Sequence, residues 1–164
     1  LGSTIGNFTP DDEHTFWTDI ARTMQVGDHF LLGVDLVKDT DILEAAYNDR
    51  NGVTEQFTTN YFTRMNRELS TSVDLDNIGH VAFFNPAKEQ MEIYIEFLDD
   101  QIITLPTLQQ SFAFARGERI MLEISRKFRL PGGIEHLAKY GLHPLRTYTD
   151  KQDCFGLLLL EKQG

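Results

Sequence analysis

Residues 29–37, His29-Phe30-Leu31-Leu32-Gly33-Val34-Asp35-Leu36-Val37, form the near-continuous apolar run that most restricts what this chain can become. The run falls far short of the roughly 20 residues that a membrane helix needs. It also lacks the alternation of a strand with one wet face, so it predicts a parallel strand buried on both faces of an α/β sheet. What precedes it fits that prediction. Leu1-Gly2-Ser3-Thr4-Ile5-Gly6-Asn7-Phe8 reads as the end of a buried strand running into a glycine-bearing loop, where parallel sheets bind ligands. Thr9 can cap a helix, Pro10 suits its first position, and Asp11, Asp12 and Glu13 favour its positive end. Phe16, Trp17, Ile20, Ala21 and Met24 then recur at helical spacing and give one apolar face. Strand, helix and strand together predict a βαβ unit with a right-handed crossover.

The rest of the chain changes character. Asp39-Thr40-Asp41 opens a second helix carrying Ile42, Leu43, Ala46 and Tyr47; Asn51-Gly52 interrupts it, and residues 53–69 are helical again. Residues 80–84, 90–98 and 101–105 predict short strands, with Asp99-Asp100 turning between the last two as in an antiparallel meander. The alternation from Met91 to Phe97 predicts one buried and one wet face. Residues 119–128 fit helix or strand, and the spacing of Ile120, Glu123, Ile124 and Lys127 favours helix. Residues 134–140 form a short helix closed by Gly141, and residues 142–149 and 154–161 form a hairpin about a tight turn at 150–153.

Charge and chemistry exclude several function classes. The net charge of -10 opposes phosphate backbones and anionic lipids, so neither nucleic acid nor a membrane is an expected partner. Cys154 has no second cysteine to pair with, which fits a reducing cytoplasm, and its apolar surroundings read as a buried structural thiol. The first residues show no secretory signal, which again points to the cytoplasm. His80, His136 and His143 lack metal-ligand spacing with each other or with Cys154, so no metal site is expected. Asp35, Lys38 and Asp39, at a strand end, read as caps and ion pairs.

Four strings, in order, carry a resemblance: Gly2-Ser3-Thr4-Ile5-Gly6-Asn7, residues 32–39, Met65-Asn66-Arg67-Glu68-Leu69-Ser70, and Glu123-Ile124-Ser125-Arg126-Lys127-Phe128. Together they resemble the histidine-specific methyltransferase family, over residues 1 to about 161. That resemblance implies an α/β fold of the Rossmann-like, doubly wound class I type, in which S-adenosylmethionine methylates the α-amino group of L-histidine towards ergothioneine. It implies one compact unit, residues 1–164, forming the carboxyl-terminal part of such an enzyme. Residues 1–37 with 127–164 would be the second half of the sheet, and residues 38–126 most of an inserted α+β substrate domain.

The family's glycine-rich cofactor loop is not found here, nor is any Gly-x-Gly-x-x-Gly string. S-adenosylmethionine is therefore expected on the complete family enzyme and not on this chain, which is expected to be inactive alone. A strand edge left unpaired at residues 1–5 predicts a homo-oligomer, or pairing with an amino-terminal half. A non-catalytic module that binds histidine or its betaine fits the same residues.

By resemblance, Asn7 hydrogen-bonds the substrate amine, a role its amide oxygen can fill. Read as a residue alone, Asn7 equally suits a left-handed turn after Gly6. Tyr47 matches a contact to the substrate carboxylate, and as a helix residue beside Leu43 and Ala46 it equally suits the core. Glu123 and Ser125 match the pair that recognises the imidazole: a carboxylate accepts the ring N–H and a hydroxyl serves the other nitrogen. Their bland alternative is an exposed Glu and a helix Ser. Thr54, Phe57 and Ile93 fall where the family lines the side-chain pocket, Ile93 standing in place of a methionine. No residue of the chain is assigned a catalytic role.

Overall fold

The computed structural model describes residues 1–164. It is an α/β protein with four α-helices and antiparallel sheets, divided into two compact units. The first holds residues 1–40, 85–91 and 124–164, and the second residues 41–84 and 92–123.

In the first unit a 3-10 turn, Ser3–Asn7, leads into helix α1, Pro10–Thr23. The Thr9 hydroxyl oxygen accepts from the Asp12 N–H at 3.2 Å, and three acids lie in the first turn, as the sequence predicts. Strand β1, His29–Asp35, pairs antiparallel with β8, Phe155–Lys162, which also pairs antiparallel with β7, Leu142–Thr149. The predicted hairpin is therefore present. The expected strand at residues 1–5 is instead the 3-10 turn. Only its first residue bridges β1: the Leu1 ammonium donates to the Leu31 carbonyl at 2.7 Å, and the Gly33 N–H donates to Leu1 at 2.8 Å. That pattern is the parallel one.

One face of this sheet is a core. Leu32, Val34, Leu158 and Leu160 are buried against Ile5, Trp17 and Leu142, and against Leu137 of helix α4, Leu130–Ala138. Trp17 meets Phe16 and Phe30 edge-on, with ring centroids 4.9 and 5.6 Å apart. The opposite face is not buried as the apolar run predicts, since Leu31 is 51% and Tyr148 52% exposed. Cys154 is half-buried rather than buried, in the turn that Asp150 organises by accepting from the N–H groups of Gln152, Cys154 and Phe155. Helix α4 covers residues 130–138 rather than the expected 134–140, and Gly141, with φ of 72°, lies in the turn that follows it, its N–H donating to the Ala138 carbonyl at 3.0 Å.

The second unit contains helix α2, Thr40–Tyr47, and helix α3, Val53–Leu69, separated by Gly52 at φ of 64°. Asp49 caps α3, accepting from Val53 at 3.0 Å and Thr54 at 2.9 Å. Strands β2, Ile78–Asn85, β3, Gln90–Phe97, and β6, Arg119–Arg126, form one sheet in the order β2–β3–β6. Strand β4, Gln101–Leu105, pairs instead with β5, Gln110–Phe114, so the expected β3–β4 meander is replaced by a β4–β5 hairpin. Phe62, Val73, Ile78, Ile95, Phe97 and Ile103 make its core. The alternation of β3 is as read, but its second face is not wet: Glu92 is buried and accepts from the Tyr94 hydroxyl at 2.8 Å.

Residues 119–126 are strand, not helix. An i, i+4 spacing is also a multiple of two, so Ile120 and Ile124 satisfy either period. Leu122, packed with Ile120 against the second core, settles it as strand. No helix is long and apolar enough to cross a membrane.

Gly6 is held where a Cβ would lie 2.9 Å from the Arg126 carbonyl oxygen. A Gly6→Ala substitution is expected to destabilise the protein by about 1–3 kcal/mol. Gly132, with nothing within 4 Å, sits in the first turn of α4, and Gly132→Ala is expected to be neutral or stabilising by up to about 1 kcal/mol. Urea unfolding of the two variants checks this, and equal effects would refute the role of the close approach.

Candidate functional site

The carboxyl end of β1 carries the densest polar arrangement of the first unit. The Asp35 Oδ1 accepts from Lys38 Nζ at 2.6 Å and its Oδ2 from Lys127 Nζ at 2.8 Å. Lys127 also donates to Ser125 Oγ at 2.9 Å, and Lys38 to the Cys154 carbonyl at 3.1 Å. The backbone fixes this arrangement: Phe128 N–H donates to the Asp35 carbonyl at 2.8 Å and Val37 N–H to the Phe128 carbonyl at 3.1 Å. Burial raises the Asp35 pKa, but hydrogen bonds and charge from Lys127 and Lys38 outweigh it and hold the carboxyl below the ordinary aspartate value of 3.8.

Asn7 and Ser125 both belong to this unit, and a chain neighbour of one approaches a chain neighbour of the other. Gly6, beside Asn7, lies against Arg126, beside Ser125, closely enough to exclude a Cβ. Close approach is thus the reason for glycine here, and neither Gly6 nor Asn7 has a positive φ, so the left-handed reading of Asn7 does not hold. Asn7 is exposed and Ser125 half-buried.

Beside this end lies a cavity of about 370 Å³, a volume typical of small-molecule sites. Its walls include Trp17, Phe128, Gly132 and Gly133, with a buried ionic group at Glu13. Glu13 accepts from Trp17 Nε1 at 3.1 Å and pairs with Arg126, whose guanidinium lies 5.3 Å from the Phe128 ring centroid. His136 Nε2 sits 3.7 Å from the Glu13 carboxylate, buried and without a hydrogen-bond partner. In the sequence Glu13 reads as a helix-dipole residue and Arg126 as part of a motif. The missed signal was that Glu13 precedes Trp17 by four residues, and so shares its buried face.

Tyr47, Thr54, Phe57, Ile93 and Glu123 belong to the second unit. Tyr47 ends α2, half-buried, and lines a cavity of about 190 Å³ with Asp49, Glu55 and His80. The structure brings Tyr47 to His80, whose Nε2–H donates to the Tyr47 carbonyl at 2.9 Å while Nδ1 lies 3.1 Å from Thr58 Oγ1. His80 is thereby a structural histidine. Thr54 and Phe57 are one turn apart on α3, and Phe57 is 57% exposed, edge-on to Tyr61. Ile93, in β3, is 1% exposed. Glu123 is half-buried on β6, where strand alternation puts it on the same side as Ser125. Glu123 and Ser125 are thus strand residues, not the helix residues their bland reading supposes.

Residues 1–162 match the family described as histidine-specific methyltransferase, SAM-dependent. A histidine N-alpha-methyltransferase of Mycobacterium tuberculosis is 43% identical over 162 residues, covering 99% of this chain and 50% of the relative. The protein of the same description from Mycolicibacterium smegmatis is 43% identical over 159 residues, with 97% and 50% coverage. Ergothioneine biosynthesis protein 1 of Neurospora crassa is 28% identical over 167 residues, covering 88% of this chain and 18% of that protein. The chain spans about half the length of the mycobacterial relatives.

Because the folded-state pKa of Asp35 is depressed, its contribution to stability is present above pH about 4 and is lost as pH falls through the folded value. The stability gap between wild type and Asp35→Asn is therefore expected to be widest near neutrality and to close in acid. Denaturant unfolding across that range measures it, and a gap independent of pH would contradict the pairing.

Proposed function

The chain belongs to the histidine-specific, SAM-dependent methyltransferase family, and from that premise we propose that it supplies the acceptor side of methyl transfer to the α-amino group of L-histidine. One observation carries the reading furthest: the Gly6–Arg126 approach holds the Asn7 turn beside the strand end bearing Ser125. In the proposed site the Asn7 amide oxygen accepts from the substrate amine, orienting it without the salt bridge that would fix it as an ammonium. The Tyr47 hydroxyl donates to the carboxylate, Glu123 accepts the ring N–H, and Ser125 serves the other nitrogen. Thr54, Phe57 and Ile93 line the side-chain pocket. These groups bind and position, which is the main contribution a protein makes to such a transfer.

Residues 1–37 and 127–164 are proposed as the second half of a doubly wound, Rossmann-like sheet, and residues 38–126 as most of the substrate domain. The parallel bridge of Leu1 to β1 supports the first assignment. Two features support placing S-adenosylmethionine outside this chain. The Gly6 turn is packed against Arg126 rather than open, and both Asp35 oxygens are taken by lysines. The chain alone is therefore proposed to be inactive. The edge of β1 that Leu1 bridges, with exposed Leu31, is proposed to take further chain, from an amino-terminal half or a second copy.

The complete gene product, incubated with S-adenosylmethionine and histidine, is expected to yield methylated histidine by mass spectrometry, with Asn7→Ala lowering kcat/KM about 10- to 100-fold. Histidine binding without turnover would replace the enzyme by a binding module, and neither would end the reading. The chain of residues 1–164, purified by itself, is expected to associate in light scattering. A monomer at high concentration would refute the proposed edge.

A further inference from the structure

We propose that the cavity of about 370 Å³ walled by α1, β1 and α4 binds a small neutral aromatic alcohol, whose hydroxyl bridges the Glu13 carboxylate and His136 Nε2. The cavity lies wholly within the first unit. None of Asn7, Tyr47, Glu123 and Ser125 lines it, so the proposal stands apart from the histidine reading.

Glu13 builds the polar end. Its side chain is 7% exposed, its Oε1 accepts from Trp17 Nε1 at 3.1 Å, and its Oε2 accepts from Arg126. A carboxylate offers about four lone-pair sites, so Oε1 has capacity for another donor. His136 Nε2 is buried 3.7 Å from Oε1, beyond hydrogen-bond reach and without a partner. The neighbouring carboxylate favours the imidazole tautomer that carries its hydrogen on Nε2. An acceptor and a donor therefore stand side by side, too far apart to serve each other. One atom that both donates and accepts satisfies the two together, and a hydroxyl oxygen is such an atom. An ammonium has no lone pair for the Nε2–H, and a carboxylate has no hydrogen for Glu13.

The rest of the wall selects the body of the ligand. Its ionic groups already face opposite charges, in the pairs Glu13–Arg126, Glu89–Arg129 and Lys127–Asp35. A charged ligand would add a charge with no counterpart, and a neutral one does not. Between these groups the wall is aliphatic, as at Val34 and Leu137, and aromatic at Trp17 and Phe128. An aromatic ring packed edge-on or offset against such walls gains more than its buried area alone supplies.

The test is calorimetry of the complete gene product with phenol, toluene, benzoate and benzylamine. Crystals soaked in 4-bromophenol then locate the ligand, since bromine marks its position by anomalous scattering. Phenol is expected to bind about 10-fold or more tightly than toluene, which leaves Glu13 and His136 unmatched. The two ions are expected to bind no more tightly than toluene. His136→Phe keeps a ring against Tyr140, 5.4 Å away between centroids, and is expected to remove most of the preference for phenol. The bromine is expected in the cavity with Trp17 and Phe128. The wild-type comparison stands even where His136→Phe fails to fold. Toluene binding as tightly as phenol, bromine located elsewhere, or a phenol preference that survives in folded His136→Phe overturns the proposal. So does a water alone between Glu13 and His136, with no heat from phenol at millimolar concentration. Each of these results leaves the histidine reading standing, because histidine binding decides that separately.

Discussion

The structure of the first unit turns on Asp35. Lys127 is buried, and breaking a buried ion pair costs about 3–5 kcal/mol because the remaining charge is stranded. Asp35 supplies the partner, and its second oxygen holds Lys38. The backbone bonds between Asp35, Val37 and Phe128 bring residues 127–128 to the end of β1 and so fix where β6 finishes. Ser125 and Arg126 are placed by the same connection, and Gly6 closes on Arg126 from the other side. One carboxylate thus ties the end of β1 to residues 127–128, and through the neighbouring Arg126 to the turn that bears Asn7.

What was legible in the sequence was local. Thr9, Pro10 and three acids specify the start of α1 within five residues, and the β7–β8 hairpin follows from its turn and flanking strands. What failed needed knowledge of distant partners. Residues 29–37 are apolar enough to be covered on both faces, yet Leu31 is exposed, because composition cannot say which face receives a helix. Strand β6 was ambiguous at Ile120 and Ile124, and β5 carries no alternation strong enough to stand out, with most of its residues exposed. The meander was misassigned because two adjacent strands need not pair.

The candidate site divides in the same way. Asn7, Ser125 and Glu123 are singled out only by motif resemblance, and the structure gives the reason for Gly6 beside Asn7. Glu13 was hidden because an acid in a first helical turn already has an explanation, and nothing local shows that its side chain faces Trp17 and Arg126. Lys127 was hidden for a related reason. A lysine in a polar motif is ordinarily on the surface, and its burial depends on Asp35, ninety-two residues earlier in the chain (127 − 35).

These placements bear on how a site of this composition would choose among amino acids. An apolar contact such as Ile93 distinguishes ligands by roughly 1–3 kcal/mol per methylene, so exchanging it for methionine alters fit only modestly. A buried donor and acceptor reject a ligand that cannot match them far more strongly, by up to about 10⁴- to 10⁵-fold, since both are then left unpaired. In the proposed site that burden falls on Glu123 and Ser125. Drift towards another aromatic amino acid would then require loss of that polar pair before any change at Ile93 mattered.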